Sequence, residues 1–467
     1  MARVHAYADD ALGDHDAVGL ARAIADRRVS IPDVVDAAIA RTQGVATELN
    51  AVTADCFDRA RAAAADPPGG YFAGVPTFVK DNSDLAGLPT QQGTDAFAPV
   101  PATRDGDFAR MLLATGVIPL GKTQLSEYGF NASAEHSRLG PVRSPWSTEH
   151  TAGASSAGSA ALVAAGAVPL AHANDGGGSI RIPAAVNGLV GLKPTRGRLA
   201  QDRLLRQMPV RIVSDGVVTR SVRDTAAFLR EAERVYRNLR LAPIGDVTRA
   251  SRARRTIAVV TDGVGTTTSP EVEALTLRTG ELLESLGHRV ERVAQPVPES
   301  FKDDFLLYWG SLASVVVATG RLEHGASWDK SRLDLLTLGL DRHCRRHLAR
   351  LPVATARLRR SWRLARQVHT TYDVVLTPTL ARETPRIGWL DPEQGYDTVM
   401  EHLLQWVAFT PWQNATGAPA VSLPLATTAA GLPQGMMLAA DRGHEAMLLE
   451  LAYELEEASP WPLLRDA

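Results

Sequence analysis

Residues 172–184 read HANDGGGSIRIPA, and the other motifs of the chain are interpreted in relation to this stretch. Three glycines lead into Ser179, Arg181 follows two residues later, and Pro183 closes the turn. Glycine permits positive φ angles, and successive backbone N–H groups in such a turn can form a small anion-binding nest. A serine at its end would place a nucleophile and an oxyanion hole on one segment. A flexible glycine-rich turn with an incidental serine is the simpler interpretation of this stretch alone.

Other segments favour the chemical interpretation. Upstream, residues 74–82 read GVPTFVKDN, with Lys80 after an apolar run, and residues 151–160 read TAGASSAGSA. Residues 121–127 (GKTQLSE), 143–146 (RSPW) and 191–198 (GLKPTRGR) complete the set. In this order and spacing, these motifs resemble those of the amidase signature family, whose serine hydrolases use a Ser–cis-Ser–Lys triad. The resemblance is strong from about residue 74 to residue 198 and weaker toward the C-terminus.

The resemblance implies an α/β fold with a single large, mixed, twisted β-sheet covered by helices on both faces. The alternation of short apolar runs with amphipathic segments independently favours an α/β protein. No internal repeat, low-complexity block or linker is evident, so we expect one domain over residues 1–467. Within it we distinguish a helical N-terminal segment, 1–66, and a signature core, 74–198. The remainder, 199–467, is expected to complete the sheet and the substrate pocket.

Apolar periodicity and turn residues predict individual elements. Two helices are expected within 17–43, and others at 57–65, 108–114, 156–165, 221–235, 270–287 and 444–457. Strands are expected at 75–79, 117–120, 256–260, 288–293, 372–376, 420–423 and 436–440.

The composition of the chain limits the classes of function that it can have. The chain of 467 residues is 45% hydrophobic with a net charge of −2, which is typical of a soluble globular protein and shows no overall basic footprint. Its two cysteines, Cys56 and Cys344, have no metal-site spacing, and a single bridge between them stays open. No apolar leader or membrane-length run is visible. We therefore expect a cytoplasmic enzyme without cofactor, metal, membrane or nucleic-acid partner, in which the helical N-terminal arm makes a homodimer possible.

Residues 342–366 are dense in arginine. An anionic ligand or a nucleic acid is the functional interpretation of such a run. A solvated helix face is the alternative, and we favour it because the total charge of the chain is close to zero.

The resemblance assigns catalytic roles. Ser179 would be the nucleophile, and the backbone N–H groups of Gly176, Gly177 and Gly178 would stabilise the oxyanion. Lys80 would be the general base, which requires burial because a free lysine is protonated at neutral pH. Ser155 would relay the proton between them, and the resemblance implies a cis peptide bond before it.

The chain departs from the family pattern at three small residues. Ala154 and Ala157 replace glycines of the loop around Ser155, and Gly176 stands where the family often has threonine. We expect Gly176 to leave room beside the acyl site. Asp175 and Arg181 flank the nest, and we interpret both as structural supports, with a substrate contact for Arg181 as the less favoured alternative.

Three residues are candidates for substrate binding. Gln124 takes the place of an asparagine in the family loop, and Trp406 and Trp412 are aromatic residues that could line an acyl pocket. Ordinary core packing is the alternative for each tryptophan. No histidine lies in a recognisable triad motif, no G-x-S-x-G elbow is present, and no phosphate-binding G-x-x-x-x-G-K-[ST] loop occurs.

The function implied is a stand-alone amidase that hydrolyses a linear or cyclic small-molecule carboxamide to an acid plus ammonia or an amine, through an acyl-serine. The motifs resemble those of broad bacterial amidases and cyclic-oligoamide hydrolases. One alternative is the glutamine-hydrolysing amidase subunit of a tRNA-dependent amidotransferase. Another is a non-catalytic scaffold that keeps the fold, which the retention of Lys80, Ser155 and Ser179 opposes.

Overall fold

The structure is a computed structural model that describes residues 3–467. Its helices are α1 Ala17–Ala25, α2 Ile31–Leu49, α3 Phe57–Ala65, α4 Asp107–Leu113, α5 Ala157–Ala164, α6 Arg181–Asn187, α7 Arg203–Gln207, α8 Val222–Val235, α9 Pro270–Ser285, α10 Phe301–His324, α11 Leu335–Arg346, α12 Leu351–Val368, α13 Tyr396–Trp406, α14 Pro411–Thr416 and α15 Glu445–Ala458. Its strands are β1 Val52–Asp55, β2 Pro76–Lys80, β3 Ile118–Thr123, β4 Glu135–His136, β5 Gly140–Pro141, β6 Arg143–Ser144, β7 Ser147–Thr151, β8 Leu170–Asp175, β9 Val190–Lys193, β10 Ser214–Thr219, β11 Thr256–Val259, β12 Arg289–Arg292, β13 Val374–Pro378, β14 Ala420–Thr427 and β15 Pro433–Ala439.

A mixed sheet of eight strands forms the centre, in the order β12-β11-β13-β15-β14-β9-β10-β8. Its β12, β11 and β13 are parallel, and the pairs from β13 to β8 are antiparallel. The expected α/β class with a large mixed sheet is therefore confirmed. Most residues of its interior strands are buried, as expected where a sheet is covered on both faces.

A second sheet of three strands, in the order β1-β3-β2, lies against the β8 edge of the large sheet. Side chains join the two. The Thr77 hydroxyl donates to the Leu170 carbonyl at 3.0 Å, and the Lys80 N–H donates to Nδ1 of His172 at 3.2 Å. The end of β2 is thereby fixed beside the end of β8, which positions Lys80 next to residues 174 and 175.

Helix boundaries follow local sequence signals. Asp16, Ser30 and Ser269 accept hydrogen bonds from the first turns of α1, α2 and α9, as N-cap side chains do. The short α6, which follows Ser179, lies close to the sheet because β9 has glycine at position 191. A Cβ there would come within 2.5 Å of the Cβ of Ala184.

One helix of residues 3–467 is long and apolar enough to cross a membrane by length and composition alone. It is α10 with its short extension, Phe301–Ser327, whose mean hydropathy reaches 1.4. Core helices of soluble proteins meet the same criterion, and α10 packs against α11 and α12. Its composition therefore carries no membrane assignment.

Each helix and strand predicted from the sequence is present at its predicted position, with shifts of one to a few residues at its ends. The arginine-dense run is divided between α11 and α12 by a break near residues 347–350. Its arginines at 342, 345, 346, 350, 357, 359, 360, 363 and 366 are exposed, which agrees with a solvated face.

Candidate active site

Lys80 ends β2 and is fully buried. Its Nζ lies 2.7 Å from Oγ of Ser155 and 2.7 Å from Oδ1 of Asn174. Burial lowers the pKa of the Lys80 ammonium to about 7, although the carboxylates of Asp175 and Asp215 act to raise it. A substantial fraction of the amine is therefore neutral at physiological pH and has a lone pair available for the Ser155 proton.

Ser155 is buried at the start of the loop that leads into α5. The peptide bond between Ala154 and Ser155 is cis, as the resemblance implied. Ala154 lines a cavity together with Ser179, so the loop that carries Ser155 and the nucleophile candidate border the same space.

Ser179 follows the turn 176–178 and is 7% exposed, with that exposure facing the cavity. None of the backbone N–H groups of residues 176–179 donates to a protein acceptor within residues 3–467. These free donors are available for an oxyanion, as the nest hypothesis requires.

The three glycines of the turn are not equivalent. Gly178 has φ +140°, and a Cβ there would lie 2.3 Å from Oγ1 of Thr410. A Cβ on Gly176 or Gly177 would meet its nearest neighbour at 3.4 or 3.7 Å, which is tight or ordinary contact. Steric crowding therefore explains Gly178 but not the other two. The room expected beside Gly176 is bordered by the Trp309 ring, 3.5 Å from that Cβ position.

Asp175 and Arg181 form a fully buried ion pair, with Arg181 Nη2 2.9 Å from Asp175 Oδ1. Burial alone would raise the pKa of Asp175, but the charge and hydrogen bonds of Arg181 lower it to about 2. Arg181 also donates to the side-chain oxygens of Gln413 and Asn414, at 3.1 and 2.7 Å. Its guanidinium therefore braces α6 against β8 and α14 from inside the protein, which fits support and leaves no access for substrate.

Two asparagines support the position of the Lys80 amine, one by direct contact and one through the other. The sequence motifs assigned a role to neither of them. Asn174 Oδ1 accepts from Lys80, and its amide pairs with that of Asn82 in both directions, at 3.1 and 3.2 Å. Both residues lie in stretches that the motifs include, directly before Asp175 and two residues after Lys80. A polar side chain at the end of each neighbouring strand was the available signal.

A histidine lies beneath the site without acting as a triad base. His172 is fully buried, and burial lowers its pKa. Its Nδ1 accepts the Lys80 backbone N–H, so the neutral ring carries its proton on Nε2, 3.4 Å from Asp215 Oδ1. The ring is therefore a structural link between β2, β8 and β10.

The cavity in front of Ser179 has a volume of about 850 Å³, counting space open to solvent. Its walls are predominantly aliphatic and aromatic side chains. They come mainly from α10 and α13: Phe301, Phe305, Leu306, Trp309, Met400, Leu403 and Leu404. Such a lining suits an apolar part of a substrate.

The three candidate substrate-binding residues lie elsewhere. The Gln124 side chain donates to the Gly140 carbonyl at 3.0 Å, away from the cavity. Trp406 is fully buried, and its indole N–H donates to the Arg382 carbonyl at 3.1 Å. Trp412 lines an adjacent cavity rather than the one that contains Ser179. The aromatic wall consists instead of Phe130, Phe301, Phe305 and Trp309. The ring of Trp309 contacts those of Phe130 and Phe305, each with centroids 5.7 Å apart.

One buried group in the described chain has the composition of a metal site: Glu127, His136 and Asp334, with ligand atoms within 4.8 Å of one another. Nδ1 of His136 accepts the backbone N–H groups of Arg138 and Leu139, both at 3.2 Å. The neutral ring then carries its proton on Nε2, the nitrogen that faces the carboxylates. A metal-bound histidine donates through its other nitrogen, so these residues do not fit a metal.

Comparison with known proteins identifies the family of the chain. The family model described as Amidase matches residues 33–449, and the chain belongs to this family. A Mycobacterium leprae protein named "Putative amidase AmiC" is 62% identical, over 99% of this chain and 98% of its own. The 6-aminohexanoate-cyclic-dimer hydrolase of Paenarthrobacter ureafaciens is 31% identical, over 96% and 95%.

Solved structures show the same relationship. A structure of 6-aminohexanoate cyclic dimer hydrolase complexed with substrate is 29% identical with a TM-score of 0.87, covering 96% of this chain and 97% of that one. A bacterial aryl acylamidase of the amidase signature family is 26% identical with a TM-score of 0.84, over 97% and 98%. Family membership and these relatives support amide hydrolysis as the activity.

Proposed function

We propose that the protein hydrolyses carboxamides through an acyl-enzyme on Ser179, with Ser155 as proton relay and Lys80 as general base. The observation that carries this proposal is the contact of 2.7 Å between the buried Lys80 amine and the Ser155 hydroxyl. A lysine whose pKa is lowered to about 7 is matched to work as a base near neutral pH.

In the proposed first step, the neutral Lys80 amine accepts the Ser155 proton while Ser155 Oγ accepts the proton of Ser179. Ser179 Oγ attacks the amide carbon, and the carbonyl oxygen becomes an oxyanion beside the N–H groups of residues 176–179. Collapse of this intermediate needs a proton on the leaving nitrogen, which returns from Lys80 through Ser155. Water then attacks the ester by the same route and releases the acid.

Asn174 supports this cycle by orientation. Its Oδ1 accepts one N–H of the Lys80 amine, which leaves the lone pair directed toward Ser155 when the amine is neutral. After proton transfer, the same oxygen stabilises the ammonium without adding a negative charge. A neutral acceptor at this position keeps the pKa of Lys80 low.

The apolar cavity supports substrates with an extended hydrocarbon or aromatic part next to the scissile amide. Both linear and cyclic amides are within this proposal. The cyclic-dimer hydrolases named above provide the precedent for a cyclic amide, and that precedent is theirs.

The test is peptide mapping after reaction with a small fluorophosphonate. Wild type should give one adduct, on Ser179, and Lys80→Ala should lose it or form it far more slowly. Ser156→Ala is the matched control, because the Ser156 hydroxyl contacts the Asn174 carbonyl and not Lys80. An adduct on a different serine would refute the assignment of the nucleophile, and undiminished labelling of Lys80→Ala would refute the role of the base.

A further inference from the structure

The cavity beside Ser179 has one charged side chain in an otherwise uncharged wall. That side chain is Lys302, in the first turn of α10, and every other lining residue in the described part of the chain is apolar or neutral. The catalytic chemistry proposed above has no use for this ammonium. A role in substrate binding would explain why a charged side chain lies in an otherwise apolar cavity.

The position of Lys302 relative to the nucleophile follows from α10. Lys302, Phe305 and Trp309 are spaced at i, i+3 and i+7, so they share the helix face that lines the cavity. The Trp309 ring reaches the catalytic turn, since a Cβ on Gly177 would lie 3.7 Å from it. At 1.5 Å per residue, Lys302 lies about 10 Å further along the helix than Trp309.

The Lys302 ammonium has no anionic partner of its own. Within residues 3–467, no carboxylate oxygen lies within 4.0 Å of it. Of the two acidic residues that follow it in the helix, Asp304 faces Arg357 at 3.6 Å, and Asp303 is exposed. The Lys302 side chain lies over the turn at Gly265, where a Cβ would be 3.3 Å from its Nζ.

We propose that the preferred amide substrate carries a carboxylate at the far end of an apolar chain, and that Lys302 binds this carboxylate. The inference rests on the proposed function, which it extends to a substrate class. The aromatic wall accepts the hydrocarbon chain, and a carboxylate is accommodated only where Lys302 offsets its loss of hydration. A positive charge at the same end is disfavoured.

The test compares three amides of equal chain length by ammonia release: suberic acid monoamide, octanamide and the ω-amino analogue of octanamide. Wild type should favour the monoamide over octanamide about fivefold in kcat/KM, as expected for a partly exposed ion pair, and should disfavour the cationic analogue. Added salt should reduce the preference, because it screens the pair. Succinic acid monoamide, whose chain is four methylene groups shorter, should show a smaller gain.

Variants identify the residue responsible. Lys302→Gln should lower the ratio of kcat/KM between suberic acid monoamide and octanamide to one or below, because the carboxylate then loses hydration without a counter-charge, and Lys302→Glu should lower it further. Lys330→Gln removes the same charge from an exposed lysine outside the cavity and should keep the wild-type ratio.

The outcomes separate the two proposals. Hydrolysis of octanamide without preference for the anionic chain would overturn the role of Lys302 and leave the amidase mechanism intact. An equal loss of preference in Lys330→Gln would also overturn it, because the effect would then belong to the net charge. Failure of wild type to hydrolyse any of these amides, together with absence of the Ser179 adduct, would refute the proposed function and the inference with it.

Discussion

At the scale of single residues, the proposed mechanism depends on keeping the Lys80 amine uncharged. Lys80 is surrounded by hydroxyl and amide groups at contact distance, and its nearest carboxylates act on it without a direct bond. In contrast, the buried Lys122 contacts Asp81 at 2.7 Å. These two buried lysines therefore differ in the charge of the group that contacts the amine.

Replacing that neutral contact should move the pH profile. In Asn174→Asp, a carboxylate would face Lys80 at contact distance and should raise the pKa of Lys80 by about one to three units. The rise of kcat/KM with pH, expected near pH 7 in wild type, should then occur at correspondingly higher pH. Asn238→Asp, which adds the same charge at a site remote from Lys80, should leave the profile in place. An unchanged profile in Asn174→Asp would contradict Lys80 as the base.

The glycines of the turn provide a second residue-scale prediction. Gly178→Ala requires a side chain at φ +140° with its Cβ 2.3 Å from Thr410, so activity should fall by at least two orders of magnitude together with stability. Gly177→Ala meets nothing closer than 3.7 Å and should retain the wild-type melting temperature. Calorimetry and amide hydrolysis on the pair test this. Equal damage in both variants would show that the nest itself, rather than the Thr410 contact, requires glycine.

At the scale of elements, α6 is held by its first residue. The Arg181 guanidinium connects α6 to the end of β8 and to two side chains of α14, and all of these contacts are buried. Ser179, the proposed nucleophile, lies two residues before Arg181. The precision of the turn therefore depends on an ion pair that never touches solvent or substrate.

Loss of that anchor should be costly. Arg181→Met leaves the Asp175 carboxylate buried without a counter-charge and should lower the free energy of unfolding by about 3–5 kcal/mol. Arg206→Met removes the exposed partner of Asp107 and should cost less than about 1 kcal/mol. Denaturant unfolding of both variants measures the difference. A small loss in Arg181→Met would mean that Gln413 and Asn414 alone hold the turn.

The same elements show how far sequence reasoning extends. Lys80, Ser155 and Ser179 could be proposed from the sequence because each lies in a local motif. Asn82 and Asn174 interact across 92 residues of sequence, and nothing within either strand reveals the partner. The tryptophans illustrate a second limit: Trp406 ends α13, but its ring turns inward to the Arg382 carbonyl, and only the packed helix determines which face meets the cavity. No element was predicted at α10, which lines much of the cavity, because its apolar residues do not follow a one-sided period.

At the scale of the whole molecule, buried acidic groups outside the site should make the folded state less stable as the pH rises. Burial raises the pKa of Glu127 to about 7, and burial together with the nearby Glu127 raises that of Asp334 to about 9. Both values lie above those of the unfolded chain, so the folded state holds more protons. The stabilisation is therefore present at low pH and is lost as the pH rises through these values.

Calorimetry across this range provides the test. The melting temperature of wild type should fall between about pH 4 and about pH 9, and Glu127→Gln should flatten the part of this decline below about pH 7, because its amide can still contact Thr94 and Asp334 without ionising. Glu149→Gln, at an exposed position, should reproduce the wild-type slope. If the slope of melting temperature against pH is the same in all three proteins, other groups cause the loss of stability with rising pH.

The junction between the two sheets has a consequence for how activity reports on the folded state. Lys80, the proposed general base, lies on the three-stranded sheet, whereas the turn with Ser179, the proposed nucleophile, follows the edge strand of the eight-stranded sheet. Neither sheet carries both residues, so the proposed mechanism requires the two sheets to remain packed together. Fluorophosphonate labelling of Ser179 should therefore report whether the two sheets are still packed against each other. During denaturation it should disappear with the first event that separates the sheets, even if each sheet keeps its own hydrogen bonds.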